Sequence, residues 1–333
     1  MPLGLTRARA QELTCAPLPP HASDKPVGAA VTRDGGAMAV PISDHIVIRG
    51  DAAFDTAIIC EGAVFMLDEH LDRLEASAQA VGLALPEGGR DGVCEALLAT
   101  AAAGGVHDGC LRYWLSSGPG GFGVARRHGA PGVLYAVVVE PIAKAVRGGV
   151  TCAPVPHVTP KPAPFCHAKT TNYLPNVVAY EQGKVAGADY GIFLAPNGDV
   201  LEAPTANVAL LLPGGELRAP CPPPTATDGV LRGLTQQRVF ALLEGDPQAA
   251  ADAGVAACVY GRVTAEDVAL AEEIMLMGGG VHVSPVTRWG GALVGSGEPG
   301  RTALALLDLI EHDMREGGPR TAVPYSLYDS LDA

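Results

Sequence analysis

The sequence predicts a mixed α/β chain of the α+β kind, arranged as two domains. Three observations lead there. The chain has 333 residues, about two domains' worth at ~100–200 residues each. Hydrophobic residues make up 48% and charged residues 18%, which supplies a sizeable core and excludes wholesale disorder. Strand-like and helix-like segments follow one another without strict β-α-β alternation and without internal repeats, which favours segregated elements over a doubly wound sheet.

Residues 1–30 are rich in Ala, Pro and Arg and read as a disordered or leader segment, with no apolar signal core. Residues 31–140 read as a small amino-terminal α+β domain. Within it, 37–42 and Phe54–Cys60 have strand composition, and Glu61-Gly62 forms a tight turn into a hairpin partner at 63–67. Leu67, Leu71, Leu74, Ala78 and Val81 then follow the helical period, with Gly82 placed to end the helix. A second helix over 91–102 leads to strands at 111–116 and 133–139. Residues 141–165 are Pro-rich and read as an interdomain linker. Residues 166–333 form the large carboxy-terminal domain. Its predicted elements are a helix over 175–184, a hairpin closed by Asn197-Gly198, a strand at 207–212 and a helix over 233–243. A helix opened by Thr264 with Asp267 three residues on follows, then a buried strand at 274–277 and a closing helix over 302–315.

The net charge of −13 argues against a nucleic-acid groove or a polybasic membrane patch as the main surface. The longest apolar runs, such as Val133–Val139, fall far short of the ~18–20 residues of a membrane span. Eight cysteines at wide spacing, with no C-x-x-C, read as reduced thiols in a reducing compartment. The expected location is cytoplasmic, or plastid if the leader is a transit peptide.

Several segments carry chemistry, each beside a plainer reading. Gly118-Pro119-Gly120-Gly121-Phe122-Gly123 fits G-x-G-x-x-G, but strand composition follows where a dinucleotide site needs a helix. A flexible loop near a site suits it better. No metal signature is present; His45 and His70, beside carboxylates, read as surface chemistry. Arg73 lies beside the core stripe of its helix, either snorkelling to solvent or anchoring a phosphate through charge-assisted bonds. Lys169 is one of five lysines, with Lys25, Lys144, Lys161 and Lys184. Its neighbours are small or neutral, so it reads either as a surface charge or as a desolvated amine suited to Schiff-base chemistry. Glu202 ends a hairpin strand, where it can point into a cleft. Leu231–Thr235 opens a helix, a natural phosphate seat of backbone N–H groups and a hydroxyl. Gly278–Gly280 permits close backbone approach to a ligand.

In this order, HLDRLEASA (70–78), KTTNYLPN (169–176), LEAPTAN (201–207), LRGLT (231–235) and GGGVHVSPV (278–286) resemble the fold-type-IV, or class IV, pyridoxal-phosphate enzymes. These include D-amino-acid aminotransferases, branched-chain aminotransferases and 4-amino-4-deoxychorismate lyase. RYWLSSGPG (112–120) and HAKTTNYLPN (167–176) look nearest to the plant and algal branch. The resemblance implies a two-domain, D-amino-acid-aminotransferase-like homodimer, with pyridoxal 5'-phosphate held by 166–333. Lys169 would form the Schiff base and move the proton. Glu202 would pair with the pyridine nitrogen. Arg73, Leu231, Leu234, Thr235, Gly279 and Gly280 would hold the phosphate, and Tyr173 would face the phenolic oxygen. Arg112 and Phe54 would face the substrate, an amino acid or 2-oxo acid.

Some positions depart from the pattern. Phe54 stands where bacterial D-enzymes have a tyrosine, and Ser117-Gly118-Pro119 replaces their arginine and histidine. Cys110 replaces a branched-chain tyrosine, and Gly279 replaces a Ser or Thr. The expected activity is D-amino-acid transamination, with the lyase second and L-branched-chain transamination third. A non-catalytic binding protein of the same fold is the alternative from another class; together, Lys169 and Glu202 argue against it.

Overall fold

The computed structural model describes residues 13–16, 30–32, 39–139, 146–220 and 229–327. The chain forms two compact units, Met1–Ala78 with Gly82–Ile142 and Arg320–Ala333, and Gln79–Val81 with Ala143–Pro319.

The first unit is built on a seven-stranded antiparallel sheet. Its labelled elements are β1 (Leu13–Ala16), β2 (Ala30–Thr32), α1 (His45–Arg49), β3 (Ala52–Cys60), β4 (Ala63–Phe65), α2 (Leu67–Ala80), α3 (Gly89–Gly104), β5 (Gly109–Ser116) and β6 (Val133–Val139). The order across the sheet is strand Arg320–Ala322, then β4, β3, β5, β6, β1 and β2. Glu61 and Gly62 both take positive φ, 49° and 75°, the turn that matches the twist of a two-residue hairpin. Helix α2 buries Leu67, His70, Leu71, Leu74 and Ala78 at helical spacing. Gly82 ends the approach to the next segment at φ 67°.

Four expectations are corrected. The segment read as a leader contains β1, which pairs antiparallel with β6, Cys15 opposite Ala136; four residues are too few to show a period. Residues 39–41 form no strand and are exposed, because Pro41 cannot donate to a ladder. Instead Asp44 caps α1, accepting from the Ile46 N–H at 2.9 Å. Asp44 is buried and also accepts from Ser116 Oγ and from Tyr135 Oη at 2.6 Å. The stretch read as linker contains strand Val150–Pro154. His45 and His70 are buried rather than at the surface.

The second unit carries a mixed nine-stranded sheet. Its elements are β7 (Val150–Pro154), α4 (Leu174–Val185), β8 (Tyr190–Ile192), β9 (Glu202–Ala203), β10 (Ala206–Leu212), β11 (Glu216–Pro220), α5 (Leu234–Gly245), α6 (Pro247–Ala253), β12 (Ala257–Gly261), α7 (Ala265–Leu270), β13 (Glu273–Gly278), β14 (His282–Trp289), β15 (Ala292–Leu293) and α8 (Arg301–His312). The path runs β12-β11-β10-β13-β14-β7-β8, with β9 on β10 and β15 on β14. Central β10 is buried along its whole length, as the apolar run Val208–Leu212 requires. Val208, Leu210, Ile274, Leu276 and Val286 pack there with Val150 and Ile192.

Helix ends follow local chemistry. Thr264 and Asp267 form a reciprocal capping box on α7. Glu273 caps α8 from a distance, accepting from the N–H groups of Thr302 at 2.9 Å and Ala303 at 2.8 Å. Helix α4 lies tightly on β8: a Cβ on Gly183 would fall 2.2 Å from Gly191 N, and one on Gly191 would fall 2.0 Å from Ala179 O. Among the described residues the six cysteines with defined surroundings are free thiols, and no helix is long and apolar enough to cross a membrane.

Candidate active site

Four segments of the second unit converge at the start of β10. The first is the start of α4. Tyr173 Oη donates to Pro204 O at 2.7 Å, and Asn176 Nδ2 donates to the same carbonyl at 2.9 Å. This ties the KTTNYLPN segment to the turn between β9 and β10. Lys169 lies in the irregular stretch just before α4 and is half-buried. Pro175 sits in the first turn of α4, where its missing N–H costs nothing.

The second segment is β9 itself. Glu202 pairs across the ladder with Asn207. Its carboxylate accepts from Leu231 N at 2.9 Å and from Asn207 Nδ2 at 3.3 Å, both on Oε2. Asn207 Nδ2 also donates to Leu231 O at 2.9 Å. One side chain thus fixes both the carboxylate and the loop that begins α5.

That loop is the third segment. A Cβ on Gly233 would fall 1.8 Å from Asn207 Oδ1, so only glycine fits while Asn207 keeps its bonds. Gly233 is the N-cap of α5 and provides no side-chain cap. The first-turn N–H groups at Leu234 and Thr235 therefore have no side-chain acceptor, which leaves an anion seat at the positive end of a 12-residue helix. The fourth segment is the turn from β13 to β14. A Cβ on Gly278 would meet Thr205 O at 2.9 Å, so this turn packs closely on the β9–β10 turn. A Cβ on Gly280 would meet nothing within 4 Å, and Gly279 and Gly280 are both exposed.

The electrostatics set this cluster apart. Burial pushes the Glu202 carboxyl up to about 7, although the Leu231 N–H and the charges of Lys161 and Lys169 oppose it. A buried carboxyl near neutrality is what proton management at pH 7 requires. Burial also lowers Lys161, opposed by Glu202 and Cys166. Burial raises the Cys166 thiol, opposed by the Gly229 N–H. Burial likewise lowers neighbouring His167, whose ring fills the space a Cβ on Gly229 would need.

The structure thus brings Lys169, Tyr173, Glu202, Leu231, Leu234, Thr235, Gly279 and Gly280 to one end of one sheet. Asn207 and Asn176 join them without having been assigned a role from sequence. Both stand inside recognised segments, LEAPTAN and KTTNYLPN, but an asparagine that braces a backbone leaves no periodic trace.

Arg73, Phe54 and Arg112 belong to the first unit. Arg73 is not a snorkelling residue. Its Nε and Nη2 donate to Asp55 Oδ2 at 2.9 Å and Oδ1 at 2.6 Å, a bidentate pair. His70 Nδ1 lies 3.2 Å from the same carboxylate. Burial would raise Asp55, but the charges and hydrogen bonds of Arg73 and His70 outweigh it and hold the carboxyl well below the usual range. Phe54 pairs with Trp114, and Thr56 pairs with Arg112. Side chains alternate along a strand, so Phe54, Arg112 and Trp114 share one face of the sheet while Asp55 lies on the other. Arg112 stacks on Trp114 at 5.8 Å, and its Nε is buried without a hydrogen-bond partner, an uncompensated donor on that face.

The G-x-G-x-x-G stretch opens no helix. It is pinned to the α1 segment, with Gly120 N donating to Ser43 O at 3.0 Å and His45 N to Gly118 O at 3.2 Å. Among the described residues no group of three or more His, Cys, Asp or Glu could hold a metal ion.

Comparison with known proteins fits this geometry. The profile described as amino-transferase class IV matches residues 52–289, from the first residue of β3 to the last of β14. A D-amino-acid transaminase, chloroplastic, from Arabidopsis thaliana is 38% identical over 304 residues, 89% of this chain and 77% of the relative. A bifunctional aminodeoxychorismate lyase / D-amino acid transaminase from Mycobacterium tuberculosis is 30% identical over 230 residues, 63% of this chain and 76% of the relative. A branched-chain amino acid aminotransferase from Escherichia coli superposes with TM-score 0.77 at 20% identity, covering 95% of this chain and 100% of that one; at this identity the likeness bears on fold. A profile spanning both sheets' central strands, together with the ordered cluster at the start of β10, leads to one conclusion: the chain belongs to the class IV aminotransferase family.

Proposed function

We propose that the protein is a pyridoxal-phosphate-dependent transaminase acting on D-amino acids of the D-alanine type with a 2-oxo acid acceptor. One observation carries the cofactor reading: a single loop, Leu231–Thr235, anchors Glu202 at one end and opens an uncapped helix at the other. These are the two polar ends that a phosphorylated pyridine needs, with Lys169 on a neighbouring segment. The bound group supplies an aldehyde that condenses with amines and a ring that draws electrons from the α-carbon.

The chain's own residues then divide the work. Lys169 supplies the amine and moves the proton at the α-carbon. Glu202 holds a proton at the ring nitrogen, which its firm tie to Leu231 keeps in place. Thr235 and the N–H groups of Leu234 and Thr235 hold the phosphate, aided by the backbone of Gly279-Gly280 and by Leu231 as the strap to Glu202. Tyr173 orients the phenolic oxygen. Within the first unit, Arg73 is the proposed phosphate ligand and Arg112, through its unpartnered Nε, the proposed ligand of the substrate carboxylate, with Phe54 on the same face of the sheet. We expect a homodimer, to be read by sedimentation. We also expect a plastid or cytoplasmic location, to be read by tagging.

The D-amino-acid choice rests on the Arabidopsis relative. The lyase is the second reading, favoured by the bifunctional Mycobacterium relative; L-branched-chain transamination ranks third. Borohydride reduction and peptide mapping should place the cofactor on Lys169, and a label elsewhere or none would overturn that assignment. D-alanine, L-leucine and aminodeoxychorismate, each offered with and without 2-oxoglutarate, separate the activities. Pyruvate from D-alanine only when the acceptor is present supports the proposal. Acceptor-independent p-aminobenzoate and pyruvate from aminodeoxychorismate, without D-alanine turnover, would replace it with the lyase.

A further inference from the structure

Lys161 lies in the stretch read from sequence as linker, whose start the structure ties to β8 and whose end closes in a local turn. Val155 N donates to Ile192 O at 2.9 Å and Cys166 N to Pro162 O at 3.2 Å. Val155 and Val158 are buried with Ala179, Phe193, Leu201 and Val230. Lys161 therefore lies between buried Val158 and buried Cys166, in a stretch whose residues 162–165 are exposed. Its side chain is half-buried, and Nζ stands 5.5 Å from the ring centre of Tyr173, within cation–π range. Tyr173 is itself fixed through Pro204 O, two residues from Glu202. Lys184 also stands over a ring, 5.2 Å from the centre of Tyr180, but it is exposed and pairs with Asp189 at 3.4 Å.

We propose that Lys161 is a second cation of the Glu202 site, seated on Tyr173 and sharing with Lys169 the balance of the carboxylate's charge. The groups that bear on it are Glu202, Cys166 and Tyr173. Those that bear on Glu202 are Leu231 N–H, Asn207, Lys161 and Lys169. Two effects follow. The ammonium favours the anionic form of Glu202, which burial alone disfavours. It also presses the Tyr173 ring into one orientation. Lys161 is thus a positioning residue: it acts through Glu202 and Tyr173. Its importance for catalysis rests on the cofactor reading above, whereas its coupling to Glu202 does not.

The coupling is measurable in the full-length chain freed of cofactor. With carbon-13 in the glutamate carboxyls, the Glu202 signal is identified by its loss in Glu202→Gln and followed against pH. The midpoint should lie at about 7. In Lys161→Met it should rise by on the order of half to one pH unit, and Lys161→Arg should restore it to within about 0.3. An unmoved midpoint in Lys161→Met overturns the proposal. A reciprocal measurement covers a Met variant that does not fold. Acylation of Lys161, followed by peptide mass against pH, should show its midpoint falling in Glu202→Gln relative to the unaltered chain. No change there also overturns the proposal. A borohydride label that misses Lys169 would remove the cofactor reading and leave both titrations intact.

Discussion

Replacing Glu202 with Gln should stabilise the cofactor-free protein and cripple the loaded one. The carboxyl is pushed by burial from its ordinary 4.5 to about 7 in the folded chain. The fold therefore binds this proton more tightly than the unfolded chain does. Its contribution to stability is greatest below about pH 4.5, falls as pH rises towards 7, and carries the full cost above it. A displacement of ~2.5 pH units corresponds to about 3 kcal/mol at high pH, an upper figure for a side chain that is partly exposed. Gln keeps an oxygen for the Leu231 N–H and never ionises. At pH 8 the variant should thus be more stable by up to about 3 kcal/mol, while at pH 4.5 the two should coincide. Urea unfolding of both proteins, stripped of cofactor, at several pH values reads this directly. The same substitution should slow the amino-acid half-reaction by orders of magnitude, because a neutral amide cannot hold the ring proton as a carboxylate does. Opposite signs in stability and activity mark a group retained for function. Parallel unfolding curves for the two proteins from pH 5 to 8 would refute the burial argument, and a full transamination rate would refute the role.

Gly233→Ala should lower cofactor retention at least tenfold, since a Cβ 1.8 Å from Asn207 Oδ1 must displace the α5 loop; fluorescence titration with pyridoxal phosphate checks it. Arg73→Ala should destabilise the first unit by about 3–5 kcal/mol, because it leaves Asp55 buried without its main cation. In the folded fraction it should weaken cofactor affinity more than it slows the reacting step, seen as loss of cofactor on dialysis. Asp55→Asn should destabilise the first unit by about 3–5 kcal/mol, because it leaves Arg73 buried without its anion; unchanged urea unfolding would contradict that. Arg112→Met should raise KM for the amino acid with a smaller effect on kcat, as expected for a lost carboxylate contact.

Elements with a strong local signature were legible in the sequence. The hairpin at Glu61-Gly62, the α2 stripe and the Thr264 capping box each place several consistent residues within a few positions, and each forms. The sequence reading missed elements fixed by distant partners. Helix α1 is only five residues long, and its cap Asp44 is held by Ser116 and Tyr135, over 70 positions away. Strand β7 is short, parallel to both its neighbours and embedded in prolines, so its composition resembles a linker.

The site divides along the same line. Lys169, Glu202 and the α5 start were singled out as candidates because each carries its chemistry in its own residue type and local context. What gathers these candidates in one place is supplied by residues that look inert in sequence. Asn207 was one apolar-strand residue among seven, yet it holds Glu202 and Leu231 together and forces glycine at 233. Lys161 carried a charge but no context, because its context is the ring of Tyr173, twelve positions on in sequence and adjacent only after folding. A reactive group can be read from one position. Its ionisation depends on burial and on neighbours from several segments, and those are properties of the packed chain.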